Sequence, residues 1–375
     1  MANTKGIQTL IRRWAVSIDR PAIFIILTLI SLGVWISIAS TPAVAIKLGL
    51  SPFHFVKQHI MIVPIAIFII VFTSFFQTKH IRKLALFGFF ICIFLVICTI
   101  FFGTEIKGAR RWLNIFGFSL QPSEFLKPTV TVLTAWLISE QYRDRKFPGI
   151  LLSIASIGIV VPLLLLQPDV GMTVTIVTAW IGQLFISGIS LFVLGIFASA
   201  VVSSLVGLYF VLPHFADRIN KFLMKGGEEA DLYQVQKSLE AFRSGGVFGK
   251  GPGEGVIKTL VPDSHSDFVF SVIGEEFGFI LCIIIITLFI SFIIRSLMKV
   301  MESSSIFSFS AVFGIILQMT VQILINIATS LNLIPTKGMT LPFISYGGSS
   351  FLASAVSVGI VLAITKRNAL AKEAL

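Results

Sequence analysis

Residues 262–294 read PDSHSDFVFSVIGEEFGFILCIIIITLFISFII, a polar loop running directly into an apolar stretch long enough to cross a bilayer. Asp267 stands at the threshold, and Glu275 and Glu276 follow about two turns along a helix that begins there. Ionisable groups at membrane depth are costly, which makes them functional-site candidates by default. A step of about 100° per residue places Ser271, Gly274, Glu275 and Gly278 on the Asp267 side and Glu276 roughly opposite. One face is then small and polar; the other carries Phe268, Phe270 and Val272.

The rest of the chain repeats the apolar pattern. Hydrophobic residues make up 55% of the 375 and charged residues only 13%, a balance that a soluble chain does not need. The expectation is an all-α polytopic membrane protein, one integral membrane domain over 1–375 with about ten transmembrane helices. The spans fall at 21–39, 59–76, 84–103, 123–139, 148–166, 170–187, 190–212, 268–294, 306–330 and 346–365. The Arg12–Arg13 pair ahead of an apolar run and Ala43-Val44-Ala45 imitates a signal peptide, but the run is long and further spans follow, so it reads as an uncleaved first span. Cys92, Cys98 and Cys282 lie inside apolar runs with no metal or disulfide spacing and read as packing residues.

The net charge of +11 belongs to the ends of the spans, since no basic cluster is interleaved with aromatics; a nucleic-acid partner is not expected. Lys and Arg concentrate before the first span, at 79–83, 143–146 and 295–299, and after the last, which predicts both termini on the cytoplasmic side. The cluster Lys107, Arg110 and Arg111 is the exception, falling on the outer side. The largest outer loop, 213–267, contains an amphipathic helical pattern with Leu232, Val235, Leu239 and Phe242 on one face, ended by Gly245-Gly246. Gly249, Gly251, Gly253 and Gly255 around Pro252 then form an irregular return, a turn rather than a phosphate cradle.

Four outer features carry chemistry. Asp267 is either a helix N-cap or a general base at the membrane surface. Arg110 and Arg111, with Lys107, are either interfacial anchors or a phosphate clamp, since Arg presents a planar fork to phosphate oxygens; their position on the outer side favours the clamp. Glu124 and Lys127 share one helix face behind Pro122, as an ion pair or as site groups. Asp169, between two spans, reads first as a turn residue before a helix. Carboxylates and cations gathered on one side fit an enzyme or carrier for an anionic lipid better than an ion transporter, whose ionisable groups sit near the midplane.

Five motifs make the chain resemble the SEDS family of polytopic peptidoglycan glycosyltransferases over about Asp19 to Arg367. They are Lys107-Gly108-Ala109-Arg110-Arg111-Trp112, Gln121-Pro122-Ser123-Glu124-Phe125, Gln167-Pro168-Asp169-Val170-Gly171, Pro262 to Glu276, and Leu341-Pro342-Phe343-Ile344-Ser345-Tyr346-Gly347-Gly348-Ser349-Ser350. Ser40 to Ala45, His54 to Lys57, Ala241 to Gly246 and Gly251 to Gly255 are similar to the cell-division branch, in its alphaproteobacterial form, more than to the elongation branch. One departure is mild: Ser266 stands where the family usually has Thr, and a hydroxyl is kept. The resemblance implies polymerisation of lipid II into undecaprenyl-linked glycan at the septum, on the outer face of the bacterial inner membrane. It implies a complex with a class B penicillin-binding transpeptidase and other division-complex membrane proteins. It carries the family's essential aspartate onto Asp267 as general base, and places Glu124 and Lys127 in the cavity. Lys107, Arg110, Arg111 and Lys127 are candidates for the leaving pyrophosphate, a divalent cation (Mg2+ or Mn2+) is a candidate cofactor, and Glu275 and Asp169 are candidate supporting or metal-binding carboxylates. A lipid II flippase, a non-catalytic scaffold and an elongation-type polymerase are the alternatives.

Overall fold

A computed structural model describes residues 12–366 apart from 107, 116, 212–215, 217–219, 221–228, 262, 336 and 337. Lys107 and Pro262 therefore lie outside the described residues. Each expected span is a helix: α1 Arg20–Ser40, α3 His54–Ser74, α4 Thr78–Phe102, α5 Pro122–Arg143, α6 Gly149–Leu166, α7 Val170–Ile186, α8 Leu191–Val211, α10 Val269–Met301, α11 Ile306–Ser330 and α12 Gly348–Ile364. A short α2, Pro42–Lys47, follows α1, and α9, Glu229–Gly245, is the amphipathic helix of the long loop. Helices α3 and α4 begin earlier than expected, at His54 and Thr78, because polar first turns lie outside the apolar runs that marked them.

Contacts between elements fix a serpentine in which Trp14 and Leu362, near the two ends of the described residues, lie at one face. At that face Arg295 donates to Asp19 at 2.7 Å, and Trp14 donates to Ser74 at 2.8 Å. At the opposite face Lys258 donates to the Ala39 carbonyl at 2.9 Å and Arg111 to the Gln167 carbonyl at 2.9 Å. Asp19 also caps α1, accepting from the Ala22 N–H, so one buried carboxylate both starts the first span and pins the eighth. Helix α5 sits centrally, packed on α4, α6, α7, α11 and α12.

Helix α10 corrects the reading of the opening stretch. At 33 residues it is about 50 Å long at 1.5 Å per residue, far more than a bilayer core of about 30 Å requires. It is broken at Gly278, whose φ of 76° and ψ of −176° no side-chain-bearing residue adopts without strain. Below the break Phe279, Ile280, Ile283, Ile284, Ile290 and Ile294 are exposed, the pattern of a lipid-facing span; above it 269–276 are buried on every side. Glu275 and Glu276 therefore sit inside protein rather than at lipid depth, and the two-faced wheel drawn from the sequence does not apply.

The Gly-rich segment expected as a tight, irregular return to the membrane supplies the missing backbone partners at this break. The Lys250 and Gly251 N–H groups donate to the Glu275 and Glu276 carbonyls at 3.0 and 2.9 Å. In return the Phe279 and Ile280 N–H groups donate to the Gly246 and Val247 carbonyls at 3.0 and 3.3 Å. A single 3-10 turn, Ile257–Thr259, then lies against the helix. Glu275 accepts its Ile257 and Lys258 N–H groups at 2.8 and 2.7 Å, and Lys258 forms a buried ion pair with Glu276. Both carboxylates thus serve the same segment, where the sequence reading had separated them.

The connection between α4 and α5, expected on the outer side, is not a plain loop. It folds as a three-stranded antiparallel sheet, β1 Thr104–Ile106, β2 Ala109–Ile115 and β3 Phe118–Leu120, in the order β1-β2-β3.

Candidate functional site

Asp267 lies at the end of the bundle opposite Asp19 and Arg295, half-buried, two residues before α10 begins. The cap position belongs to Phe268, which offers no side-chain bond, so the helix starts too late for Asp267 to be its N-cap. The turn that carries it closes on itself, with the Asp267 N–H donating to the Asp263 carbonyl at 3.1 Å. A second loop at the same end, 338–347, is laced to this turn. Ser345 donates its hydroxyl to the Ser266 carbonyl at 2.6 Å, and the Tyr346 N–H donates to the His265 carbonyl at 2.9 Å. Gly338 lies so close that a Cβ there would stand 3.0 Å from Asp267 Oδ2. The Tyr346 ring packs against Phe55 and His265, its hydroxyl donates to Gln58, and burial pushes that hydroxyl above its ordinary range.

Glu124 and Lys127 open α5 as the sequence suggested, behind Pro122, and form a buried ion pair at 2.7 Å. Lys127 also donates to Gln322 Oε1 at 2.7 Å, and Gln322 Nε2 donates to the Thr340 carbonyl at 2.8 Å. One turn further along α11, Asn326 donates to the Asp267 carbonyl at 3.0 Å and to the Met339 carbonyl at 2.6 Å. Ser349 and Ser350 complete the frame, Ser349 accepting from the Gln121 N–H at 3.0 Å and Ser350 sharing a proton with Thr340 Oγ1 at 2.5 Å. The structure therefore links the Glu124–Lys127 pair to the Asp267 main chain through Gln322, the Met339–Thr340 backbone and Asn326.

Arg110 and Arg111 do not form one clamp. Successive residues of a strand point to opposite faces, and β2 sends them apart. Arg111 donates to the Gln167 and Pro168 carbonyls and lies 3.8 Å from Asp169, so it fastens the sheet to the α6–α7 turn. Arg110 is exposed and pairs with Glu105 at 3.3 Å. Asp169 caps α7 through the Met172 N–H at 3.3 Å, as its turn reading anticipated. Both Glu275 oxygens hold the 3-10 turn, whereas Asp169 uses Oδ1 for its cap and for Arg111 and leaves Oδ2 buried without a hydrogen-bond partner among the described residues. Among the described residues no three His, Cys, Asp or Glu side chains converge as a metal site.

Asn326, Gln322, Lys258 and Gly338 were not singled out from the sequence. The first two were legible: amides at 318, 322 and 326 recur every fourth residue in an otherwise apolar span, and polar groups there are expensive. Nothing local marks Lys258 or Gly338.

A family model described as a cell cycle protein, FTSW_RODA_SPOVE, matches residues 20–370. The probable peptidoglycan glycosyltransferase FtsW of Caulobacter vibrioides (strain NA1000 / CB15N) is 39% identical over 362 residues, covering 96% of this chain and 92% of its own. The protein of the same name from Coxiella burnetii (strain RSA 493 / Nine Mile phase I) is 32% identical over 360 residues, covering 93% and 96%. Two solved structures share the fold. A chain from work on the structural coordination of polymerization and crosslinking by a peptidoglycan synthase complex has a TM-score of 0.76 at 22% identity, covering 93% of this chain and 97% of that one. The Thermus thermophilus rod shape determining protein RodA has a TM-score of 0.67 at 23% identity, covering 93% and 96%.

Proposed function

Because this chain belongs to the FtsW–RodA–SpoVE family of cell cycle proteins, we propose that it is a peptidoglycan glycosyltransferase that polymerises lipid II into septal glycan strands. The observation that carries the site assignment is the placement of Asp267: a half-buried carboxylate at the end of the bundle opposite Asp19 and Arg295, its main chain fixed by Asn326. In the reaction the Asp267 carboxylate takes the proton from the acceptor GlcNAc 4-hydroxyl. The freed oxygen attacks the anomeric carbon of the donor MurNAc from the face opposite the leaving group. The C–O bond to phosphate breaks, configuration inverts, and undecaprenyl pyrophosphate departs with the bonding pair.

Developing charge on the pyrophosphate calls for cations. Lys127 is buried and already shared between Glu124 and Gln322, so it orders the site as well as contributing charge. Arg110 is the more available: exposed pairs such as Arg110–Glu105 are weak and exchange readily for phosphate. Lys107 precedes it in sequence as a further candidate. A Mg2+ or Mn2+ ion would neutralise the leaving group, as Mg2+ commonly does when held by substrate phosphates and one or two carboxylates. Glu275 is committed to the 3-10 turn and Asp169 keeps one oxygen without a hydrogen-bond partner among the described residues, and the steps above use only the chain's own residues.

The reading extends to location and company: the bacterial inner membrane at the septum, both termini cytoplasmic, beside a class B penicillin-binding transpeptidase and other division-complex membrane proteins. Membership of a cell cycle protein family supports the division setting, and the charge distribution supports the orientation. The experiment is polymerisation of lipid II in detergent by the full-length protein with its cognate transpeptidase, with chains resolved on a gel. Wild type should yield polymer and Asp267→Asn should lose it by at least about 100-fold, the scale of a general base. Full activity of Asp267→Asn would overturn the base assignment, while no polymer from wild type would favour a carrier or scaffold.

A further inference from the structure

Asn326 is fully buried in α11, and its bonding is one-sided. Both hydrogens of Nδ2 are used, one on the Asp267 carbonyl at 3.0 Å and one on the Met339 carbonyl at 2.6 Å. Its Oδ1, by contrast, is buried without a hydrogen-bond partner among the described residues. An orphaned buried acceptor is destabilising; a leucine of similar shape would remove it but would leave the Asp267 and Met339 carbonyls without their donor. The amide is therefore useful for its two donors, and these go to two different loops, one of which carries the candidate base.

The second loop is the one that approaches the carboxylate itself. Met339 follows Gly338, whose absent Cβ leaves the space beside Asp267 Oδ2. By holding the Met339 and Asp267 carbonyls on one nitrogen, Asn326 sets how far apart the two loops stand at that carboxylate. One turn away on the same face, Gln322 does the equivalent for the cation, accepting from Lys127 at 2.7 Å while donating to the Thr340 carbonyl at 2.8 Å. The pair forms two rungs, and both reach the same 338–340 segment.

We infer that Asn326, seconded by Gln322, is a positioning residue for the transfer reaction, holding Asp267 and the Gly338–Thr340 segment in register with the Lys127–Glu124 pair. This rests on the reading of Asp267 as the base. Neither amide touches substrate in this role; each acts through the groups it holds. Geometry at a reacting centre is unforgiving, and a displacement of about 1 Å can cost about 100-fold in rate.

The test is steady-state polymerisation of lipid II by the full-length protein with its cognate transpeptidase, comparing wild type, Asn326→Leu, Asn326→Ala and Asp267→Asn. Each is also followed by thermal unfolding in detergent. Read at a temperature well below every variant's Tm, Asn326→Leu should lower kcat by about 10- to 100-fold with KM within about threefold, while Tm falls by several degrees because two carbonyls lose their donor. Asn326→Ala, which keeps the helix and leaves room for a water between the two carbonyls, should fall between wild type and the leucine variant. Unchanged kcat in both variants overturns the inference, as does a loss of rate that only tracks a fall in Tm or a rise in KM. Full activity of Asp267→Asn in the same series would instead overturn the base assignment, whatever the Asn326 variants do.

Discussion

At the scale of single residues, charge in this protein is buried in pairs whose geometry leaves little slack. Lys258 and Glu276 are almost fully buried, and the lysine also reaches the Ala39 carbonyl at 2.9 Å, so one side chain ties the long outer loop to both α10 and α1. Removing one partner of such a pair strands the other charge, at a cost of about 3–5 kcal/mol. Lys258→Met should therefore lower the thermal midpoint sharply in detergent, and adding Glu276→Leu should restore much of it. A single variant as stable as wild type would show that the pair is dispensable. Asp19 and Arg295 make the corresponding link at the opposite face at 2.7 Å. Asp267 was legible in the sequence because it stands alone at a polar-to-apolar threshold. What holds it was not, because Asn326 lies 59 positions away and Gly338 matters only for the side chain it lacks.

At the scale of elements, the decisive contact is between α9 and the upper part of α10. The Phe242 ring lies over Gly274, where a Cβ would meet it at 2.3 Å, and packs on Phe270 at 5.8 Å between ring centroids. Gly274→Ala should unseat α9 at a cost of about 1–3 kcal/mol, the scale of overpacking a tight core. The readout is faster proteolysis within 229–260 and a lower thermal midpoint, both partly reversed by adding Phe242→Leu; unaltered proteolysis would mean that α9 is seated by other contacts. Hydrophobic periodicity predicted α9 and its Gly245 end, since an amphipathic face is a local signal. It could not show that the return through Gly246–Gly251 is hydrogen-bonded into α10, because backbone partners leave no imprint on side-chain pattern. The sheet at 104–120 was missed for a related reason: its strands are three, seven and three residues long, too short to outweigh the Lys-Gly and Arg-Arg reading of an interfacial loop.

At the scale of the whole molecule, ten long helices, a serpentine path and charge at their ends were readable because lipid imposes long apolar runs. Which helices touch was not, since α5 meets five partners through a buried surface that mixes Leu126, Leu133 and Ile138 with Ser123, Thr131 and Thr134, a mixture that no hydropathy window resolves. The orientation proposed for this serpentine can be tested directly. With the native cysteines replaced, Ser119→Cys on β3 should react with a membrane-impermeant maleimide added to intact spheroplasts, and Arg145→Cys between α5 and α6 should react only after lysis. The reverse pattern would invert the topology and take the proposed chemistry away from the outer face.

The break in α10 at Gly278 carries a consequence for how the enzyme meets its bilayer. A continuous helix would transmit any change of tilt from its lipid-facing length to the turn that bears Asp267. Here the lower length ends at a joint whose backbone bonds belong to the 246–251 strap, and the 257–259 turn that follows is anchored to Glu275, Glu276 and α1. Membranes differ by several ångströms in thickness, and helices adjust to them mainly by tilting. A non-helical joint is where such a tilt is expected to be taken up, and the expectation is checked by polymerisation rates in bilayers of graded thickness. Gly278→Ala should make the rate more sensitive to thickness than wild type, and equal sensitivity would mean that the joint transmits the tilt.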